Sequence, residues 1–284
     1  MSAALLFFWL SSYEITYANF RPEMVILAYF FILLTGVSFG LIGAGGAIVS
    51  VPILVYMLGL TFEHATGYSL AVSILVSGVG TLMGAKQGVV DFRKAFEFGI
   101  PTAIVSFLAR RYVSPQLPAM MFGIPRKSAM MFAFALILVM AGIAMIRSKK
   151  YEPIENPHPL LGIAIGCGIG LFSGVFGIGG GFLIVPVLAL FFGLEMKKAV
   201  GTSLCAVVMI TISGFAAEYL NHPDVPWLFV TGVMVAAGSG MVIGSLLRQV
   251  IDGSKLKKGF GYFVLLLAFV LPVLEIVRLL SSHG

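Results

Sequence analysis

Two stretches decide how this chain folds: GAGGAIVSVPIL at positions 43–54 and GIGGGFLIVPVL at positions 177–188. Each lies in the middle of an uninterrupted apolar run, 24–59 in one case and 159–193 in the other. Drawn as one straight helix, either run would be about 54 Å long at 1.5 Å per residue. A bilayer core is only about 30 Å thick. A break at the glycines resolves the mismatch and predicts two helical arms joined at depth in the membrane. Pro52 and Pro186, a few residues into the restarted arm, are expected to kink it.

The two stretches are also copies of each other. A shift of 134 positions carries Gly36, Gly40, Gly43, Gly45, Gly46 and Pro52 onto Gly170, Gly174, Gly177, Gly179, Gly180 and Pro186. The same shift lays Gly59, Ala65, Gly67 and Ser69 on Gly193, Ala199, Gly201 and Ser203. Matching leucines mean little in so apolar a chain, but a shared Gly-x-Gly-Gly and Pro register held over 30 residues means duplication. Repeat one spans about 24–147 and repeat two about 159–280, joined by the polar loop 148–158.

The rest of the composition agrees with a membrane protein. Of 284 residues, 59% are hydrophobic and 11% charged, against roughly 25% charged in soluble domains. Further apolar runs at 64–85, 95–113, 128–146, 198–220, 227–247 and 259–280 have ordinary spanning length. The fold class is an all-α polytopic membrane protein, a single integral domain over 1–284 with about eight to ten membrane elements. The octet Ala3–Leu10 lacks a basic leader and an Ala-x-Ala exit, so it reads as a segment on the membrane surface and not as a cleaved signal. The net charge of +6 comes from short basic clusters between apolar runs, which argues against a nucleic-acid partner. Cys167 and Cys205 stand alone in apolar segments as small packing residues, and no metal or cofactor is expected.

Basic residues orient the chain. If each long run folds back to its own side and the N-terminus is outside, 12 of the 18 Lys and Arg residues fall in inner loops and 6 in outer ones. Single crossings would leave no bias. The better split makes the two repeats inverted, although Arg110, Arg111, Arg126 and Lys127 form an awkward outer cluster.

The glycine stretches are the candidate substrate site. Broken backbone inside a bilayer persists only where protein or a water-filled cavity receives its polar groups. A helix restarting there offers free N–H groups and a partial positive charge, which favour an anion. Gly43, Gly45, Gly46, Gly177, Gly179, Gly180 and Gly181 are therefore candidate substrate-binding residues, and the plain alternative is that they only let helices pack. Downstream, Ser69, Thr202 and Ser203 could bond an oxyanion, or could simply bond their own helix backbone. His64, Lys86 and Glu218 are the ionisable candidates for coupling or charge balance. Asp91, Glu97 and Glu275 read as solvated or loop-pairing charges, and every Lys and Arg maps to a loop or a span end.

At these motifs, followed by Gly67-Tyr68-Ser69-Leu70 and Gly201-Thr202-Ser203-Leu204, the chain resembles the sulfite exporter TauE/SafE family of membrane permeases over about 24–280. Ala47 and Tyr68 depart from Gly181 and Thr202 at the matching places of the more family-like second half. The resemblance implies secondary transport of a small sulfur-containing anion, such as sulfite, sulfoacetate or a related organosulfonate, across a bacterial inner membrane. Neither a P-loop nor a nucleophile–base constellation is present, so the chain reads as a non-enzyme driven by a proton or sodium gradient, with no cofactor. A channel or permease for another small ion or metabolite is the alternative.

Overall fold

The computed structural model describes residues 22–43, 50–118, 120–121, 123–147, 159–176 and 179–281. The N-terminal octet, Gly45, Gly46, Gly177 and the loop 148–158 lie outside the described residues. The helices are α1 (Pro22–Ile42), α2 (Phe62–Lys86), α3 (Phe92–Leu108), α4 (Arg126–Arg147), α5 (Pro159–Phe176), α6 (Gly181–Pro186), α7 (Met196–Asn221), α8 (Trp227–Val250) and α9 (Gly253–Ser281). The only strands among the described residues are two-residue stubs at Met120–Met121 and Ile124–Pro125. The chain is an all-α polytopic membrane protein; α2, α7, α8 and α9 are each long and apolar enough to cross a bilayer.

Both long apolar runs break at their glycines. α1 stops at Ile42 and Gly43 turns at φ 74°; α5 stops at Phe176, and Gly179 and Gly180 turn at φ 54° and 64°. Such left-handed backbone suits glycine because a Cβ would crowd the following carbonyl. Helix resumes by residue 50 in the first half and at Gly181 in the second. Each proline then holds the last α-helical place before a π turn, Ile53–Met57 or Val187–Phe191. The proline ring cannot donate into the ladder and crowds the carbonyl four residues back, and a wider turn follows it in both halves. Leu58 N–H donates to the Ile53 carbonyl and Phe192 N–H to that of Val187, both at 3.3 Å, and Gly59 and Gly193 close the arms at φ 56° and 63°. From residues 50 and 184 onward, the two arms thus share their backbone geometry at the 134-residue offset. At 1.5 Å per residue, the arm 181–191 reaches roughly half-way through a 30 Å core.

Glycine contacts between helices give their directions. A Cβ on Gly36 would strike Ala237, and one on Gly40 would meet Met241 and Ser245, so α1 and α8 run parallel. Likewise Gly166 lies on Thr102 and Gly174 on Ser106 and Ala109, so α5 and α3 run parallel. Gly80 against Met241 and Gly238 against Leu75 align α2 with α8; Gly99 against Met209 and Gly214 against Ser106 align α3 with α7. Gly67 touches Glu218 while Gly84 approaches Gly201, so α2 and α7 are antiparallel. Therefore α1, α2 and α8 run one way and α3, α5 and α7 the other. Since α1 and α2 point the same way, the chain returns between Gly43 and Thr61, and α5 and α7, which also point the same way, are likewise separated by a return.

α7 sits at the centre, with 67% of its span buried against 29% for α9. Its apolar residues Val200, Leu204 and Val207 join Val51, Leu54, Val72 and Val76 in the main core. Outside, Phe92, Phe96, Ile100, Ile104 and Leu108 form an exposed stripe at a spacing of four on α3, the pattern of a lipid-facing helix.

Candidate functional site

Where α2 begins and α3, α5 and α7 end, charges sit inside the bundle. Arg110 lies in a π turn, Ala109–Val113, that extends α3, and its side chain is 5% exposed. Its Nε donates to Glu218 Oε2 at 2.7 Å and its Nη2 to Thr66 Oγ1 at 2.8 Å. The other Glu218 oxygen lies 3.2 Å from Nδ1 of the half-exposed His222. Gly67 makes room for this carboxylate, because a Cβ there would stand 2.9 Å from Glu218 Cγ. Beside it Arg111 donates to Asn221 Oδ1, and Arg126 donates to the Leu117 carbonyl at 3.3 Å. Thr66, Arg110, Arg126, Glu218, Asn221 and His222 line a cavity of about 300 Å³ that also reaches Val175 near the end of α5.

Of the three ionisable candidates, Glu218 is therefore buried and paired. His64 stands at the same mouth, exposed, stacked on Tyr68 at 5.8 Å and edge-on to His222 at 6.4 Å. Lys86 is exposed at the far end of α2 and takes no part in this cluster. The hydroxyls divide too. Thr202 Oγ1 accepts from the Asp91 N–H at 2.9 Å and so ties the start of α3 to α7. Ser203 Oγ donates to Val200 O at 2.8 Å and lies 3.5 Å from Gly43 O. Ser69 Oγ is buried with no hydrogen-bond partner among the described residues. A helical serine can bond its own backbone, but Ser69 Oγ makes no such bond among the described residues. Ser173 Oγ is likewise without a partner among them, 3.4 Å from where a Cβ on Gly180 would stand.

Around the glycines, Gly43 packs so close to Val200 that a Cβ would lie 2.6 Å from its Cγ1. In the second half Leu183 and Ile184 make the first intrahelical bonds, to the Gly180 carbonyl, so the N–H groups of Gly181 and Phe182 precede the ladder. Three of the candidate glycines, Gly45, Gly46 and Gly177, lie outside the described residues.

Some charges differ from the sequence reading. Glu275 is not solvated: it is 2% exposed and accepts from Ser128 Oγ at 2.7 Å, holding α4 to the antiparallel α9. Asp91 caps α3 by accepting from Lys94 N–H, and Glu97 packs over Gly162 of α5. Two arginines at span ends point inward. Arg110 is one, which removes it from the awkward outer cluster. Arg248, 1% exposed near the end of α8, is the other. A span-end arginine reads alike in sequence whether it snorkels out or packs in. The one available signal was Glu218 itself, since a carboxylate at that depth requires a cation.

The chain matches the Sulfite exporter TauE/SafE family over residues 28–271. A probable membrane transporter protein of Xylella fastidiosa is 30% identical over 244 residues, covering 83% of this chain and 90% of that protein. Probable membrane transporter protein YunE of Bacillus subtilis is 27% identical, covering 76% of this chain and 86% of that protein. A probable membrane transporter protein of Methanocaldococcus jannaschii is 27% identical, covering 77% and 79% respectively. No solved structure matches the chain. With its all-α membrane architecture, twin glycine-broken arms and a family match spanning most of its length, the chain is an integral membrane transporter and belongs to the sulfite exporter TauE/SafE family.

Proposed function

We propose that the protein is a secondary transporter for a small sulfur-containing anion (sulfite, sulfoacetate or a related organosulfonate) in a bacterial inner membrane. Its two repeats are inverted, and the anion binds between them at the N-terminal ends of the restarted arms. One observation carries this reading: the buried Arg110–Glu218 pair on the wall of the cavity that reaches Val175 near the end of α5. A guanidinium keeps its charge at any physiological pH, whereas a carboxylate can take a proton. Protonation of Glu218 frees Arg110 for an anion without leaving an unpaired charge in low dielectric. The proton that moves with the anion then balances one of its negative charges. Free N–H groups of the arm and the open Ser69 and Ser173 hydroxyls supply the remaining donors.

The helix directions support inverted repeats, since the first half's α1 and α2 oppose the second half's α5 and α7. Together with the basic-residue split they favour a cytoplasmic Gln87 and Ser254 end and an outward-facing Arg110 cavity. The test is flux in proteoliposomes with sulfite, thiosulfate, sulfate, sulfoacetate and a carboxylate control, under imposed pH and Na⁺ gradients. Saturable sulfur-anion flux driven by the pH gradient is expected. Flux no greater than that of the carboxylate overturns the reading, and non-saturating flux indifferent to either gradient favours a channel.

A further inference from the structure

The two inward arginines differ in one respect that matters electrically. Arg110 has a carboxylate at 2.7 Å. Arg248 is more deeply buried, yet no carboxylate pairs with it among the described residues. Its Nη2 makes only a long bond, 3.4 Å, to Gln87 Oε1, and its Nη1 has no partner at all among the described residues. Gln87 in turn lies 3.5 Å from Ser245 Oγ through its Nε2. A buried, uncompensated guanidinium is costly, and proteins retain such a group where something negative meets it.

Its place in the fold says what that is. α8 runs parallel to α1, with Gly36 beside Ala237 and Gly40 beside Met241 and Ser245. One turn further on, Arg248 is level with the Gly43 turn, where the Ser203 hydroxyl approaches the Gly43 carbonyl. The second half therefore supplies a buried cation to the glycine turn of the first. The reciprocal arrangement exists at the other end: Arg110, from the first half, has its backbone N 3.1 Å from where a Cβ on Gly174 would stand. The amides repeat the exchange. Gln87 and Asn221 occupy equivalent positions at the 134-residue offset, and each accepts from an arginine of the opposite half, Arg248 and Arg111.

We infer that Arg248, with Gln87 and Ser245, is a second oxyanion-binding site at the end of the bundle opposite the Arg110 cavity. It deepens the transport reading and rests on it for the identity of the anion. The ligand is a free, small oxyanion whose paired oxygens take both Nη groups, with the Gln87 amide and Ser245 hydroxyl completing the shell. Unlike Arg110, this guanidinium needs no proton to release it, so the site accepts the anion alone.

The test uses the full-length protein in nanodiscs of zwitterionic lipid, titrated calorimetrically with sulfite, sulfoacetate and inorganic phosphate, and separately in nanodiscs containing an anionic lipid. Wild type, Arg248→Gln, Arg248→Lys and Gln87→Ala are compared. Wild type should show two binding steps, and Arg248→Gln should weaken one of them at least tenfold, with Arg248→Lys and Gln87→Ala intermediate. The ligand-free Arg248→Gln protein should melt at or above the wild-type temperature, because an uncompensated charge has gone; a merely structural arginine would lower it. The same number of sites and the same affinities in wild type and Arg248→Gln overturn the site while leaving the transport reading intact. So does a stabilisation lost only in anionic-lipid nanodiscs, which assigns the guanidinium to a headgroup phosphate. Phosphate binding that depends on Arg248, with no sulfur-anion flux in proteoliposomes, upholds the site and overturns the assigned substrate.

Discussion

Removing one member of the Arg110–Glu218 pair should be far more harmful than removing both. The side chains are 5% and 9% exposed, which places the pair in the buried regime and not among surface ion pairs worth 0.2–1 kcal/mol. In that regime a lost partner strands a charge at a cost of about 3–5 kcal/mol, while a well-packed apolar pair is roughly neutral. Glu218→Gln is the milder single change, because the amide oxygen and Thr66 Oγ1 still accept from Arg110. Arg110→Met is the harsher, leaving Glu218 only the neighbouring imidazole. The double variant Arg110→Met/Glu218→Leu should return to within about 1 kcal/mol of wild type. Reversible unfolding in mixed micelles measures all four states and yields the coupling energy as a double-mutant cycle. Flux should separate the variants differently: Glu218→Gln keeps anion exchange but loses its response to a pH gradient, and the double variant loses both. Single variants within about 1 kcal/mol of wild type, or a double variant as unstable as the worse single, would refute the buried-pair reasoning.

Ser69→Ala should leave stability unchanged or slightly raised, since its hydroxyl has no partner among the described residues, yet weaken sulfite binding by about 1–3 kcal/mol; calorimetry decides, and unchanged affinity removes Ser69 from the site. Gly180→Ala should destabilise the fold by about 1–2 kcal/mol through its left-handed backbone alone, so unfolding must be measured beside flux, and a neutral effect on both would show that the turn tolerates a side chain. Cysteines placed at Ser254 and Asp224, both exposed and at opposite ends of α8 and its neighbours, should label from the cytoplasm and from outside respectively; labelling of both from one face contradicts the inverted arrangement.

The sequence made the breaks legible because glycine and proline act locally: positions 43, 179 and 180 carry left-handed backbone, and Pro52 and Pro186 sit at matching steps. The prolines announced a kink, but the π turns after them depend on how each arm seats against its neighbours, which hydropathy does not record. The charges were least legible. Glu275 looked solvated near the chain's end and is buried because α9 pairs antiparallel with α4, bringing Ser128 to it across 147 positions. Arg110 and Arg248 sit where a snorkelling arginine would sit, and only the tertiary arrangement turns them inward. Ser69 and Ser203 are equivalent in sequence, yet Ser203 satisfies itself on Val200 while Ser69 does not.

The glycine-on-backbone contacts constrain how such a bundle can move. Between α1 and α8, a Cβ on Gly36, Gly40, Gly240 or Gly244 would run into main-chain atoms of the facing helix, and Gly170 and Gly174 meet α3 in the same way. Main chain seated on main chain has no rotamers to rearrange, so sliding or tilting within these pairs should be resisted. The contact between α2 and α7 is made largely through side chains and can repack. The mechanical units therefore cut across the two sequence halves: α1 travels with α8 and α5 with α3, each pair taking one helix from either half. Distances between spin labels on α1 and α8 should stay fixed through the transport cycle while those between α8 and α3 change; a varying α1–α8 distance would refute this partition. A rocking motion of the two sequence halves against each other would have to tear both seams, so the moving parts left to gate the path are the two glycine-hinged arms and the α2–α7 seam between them.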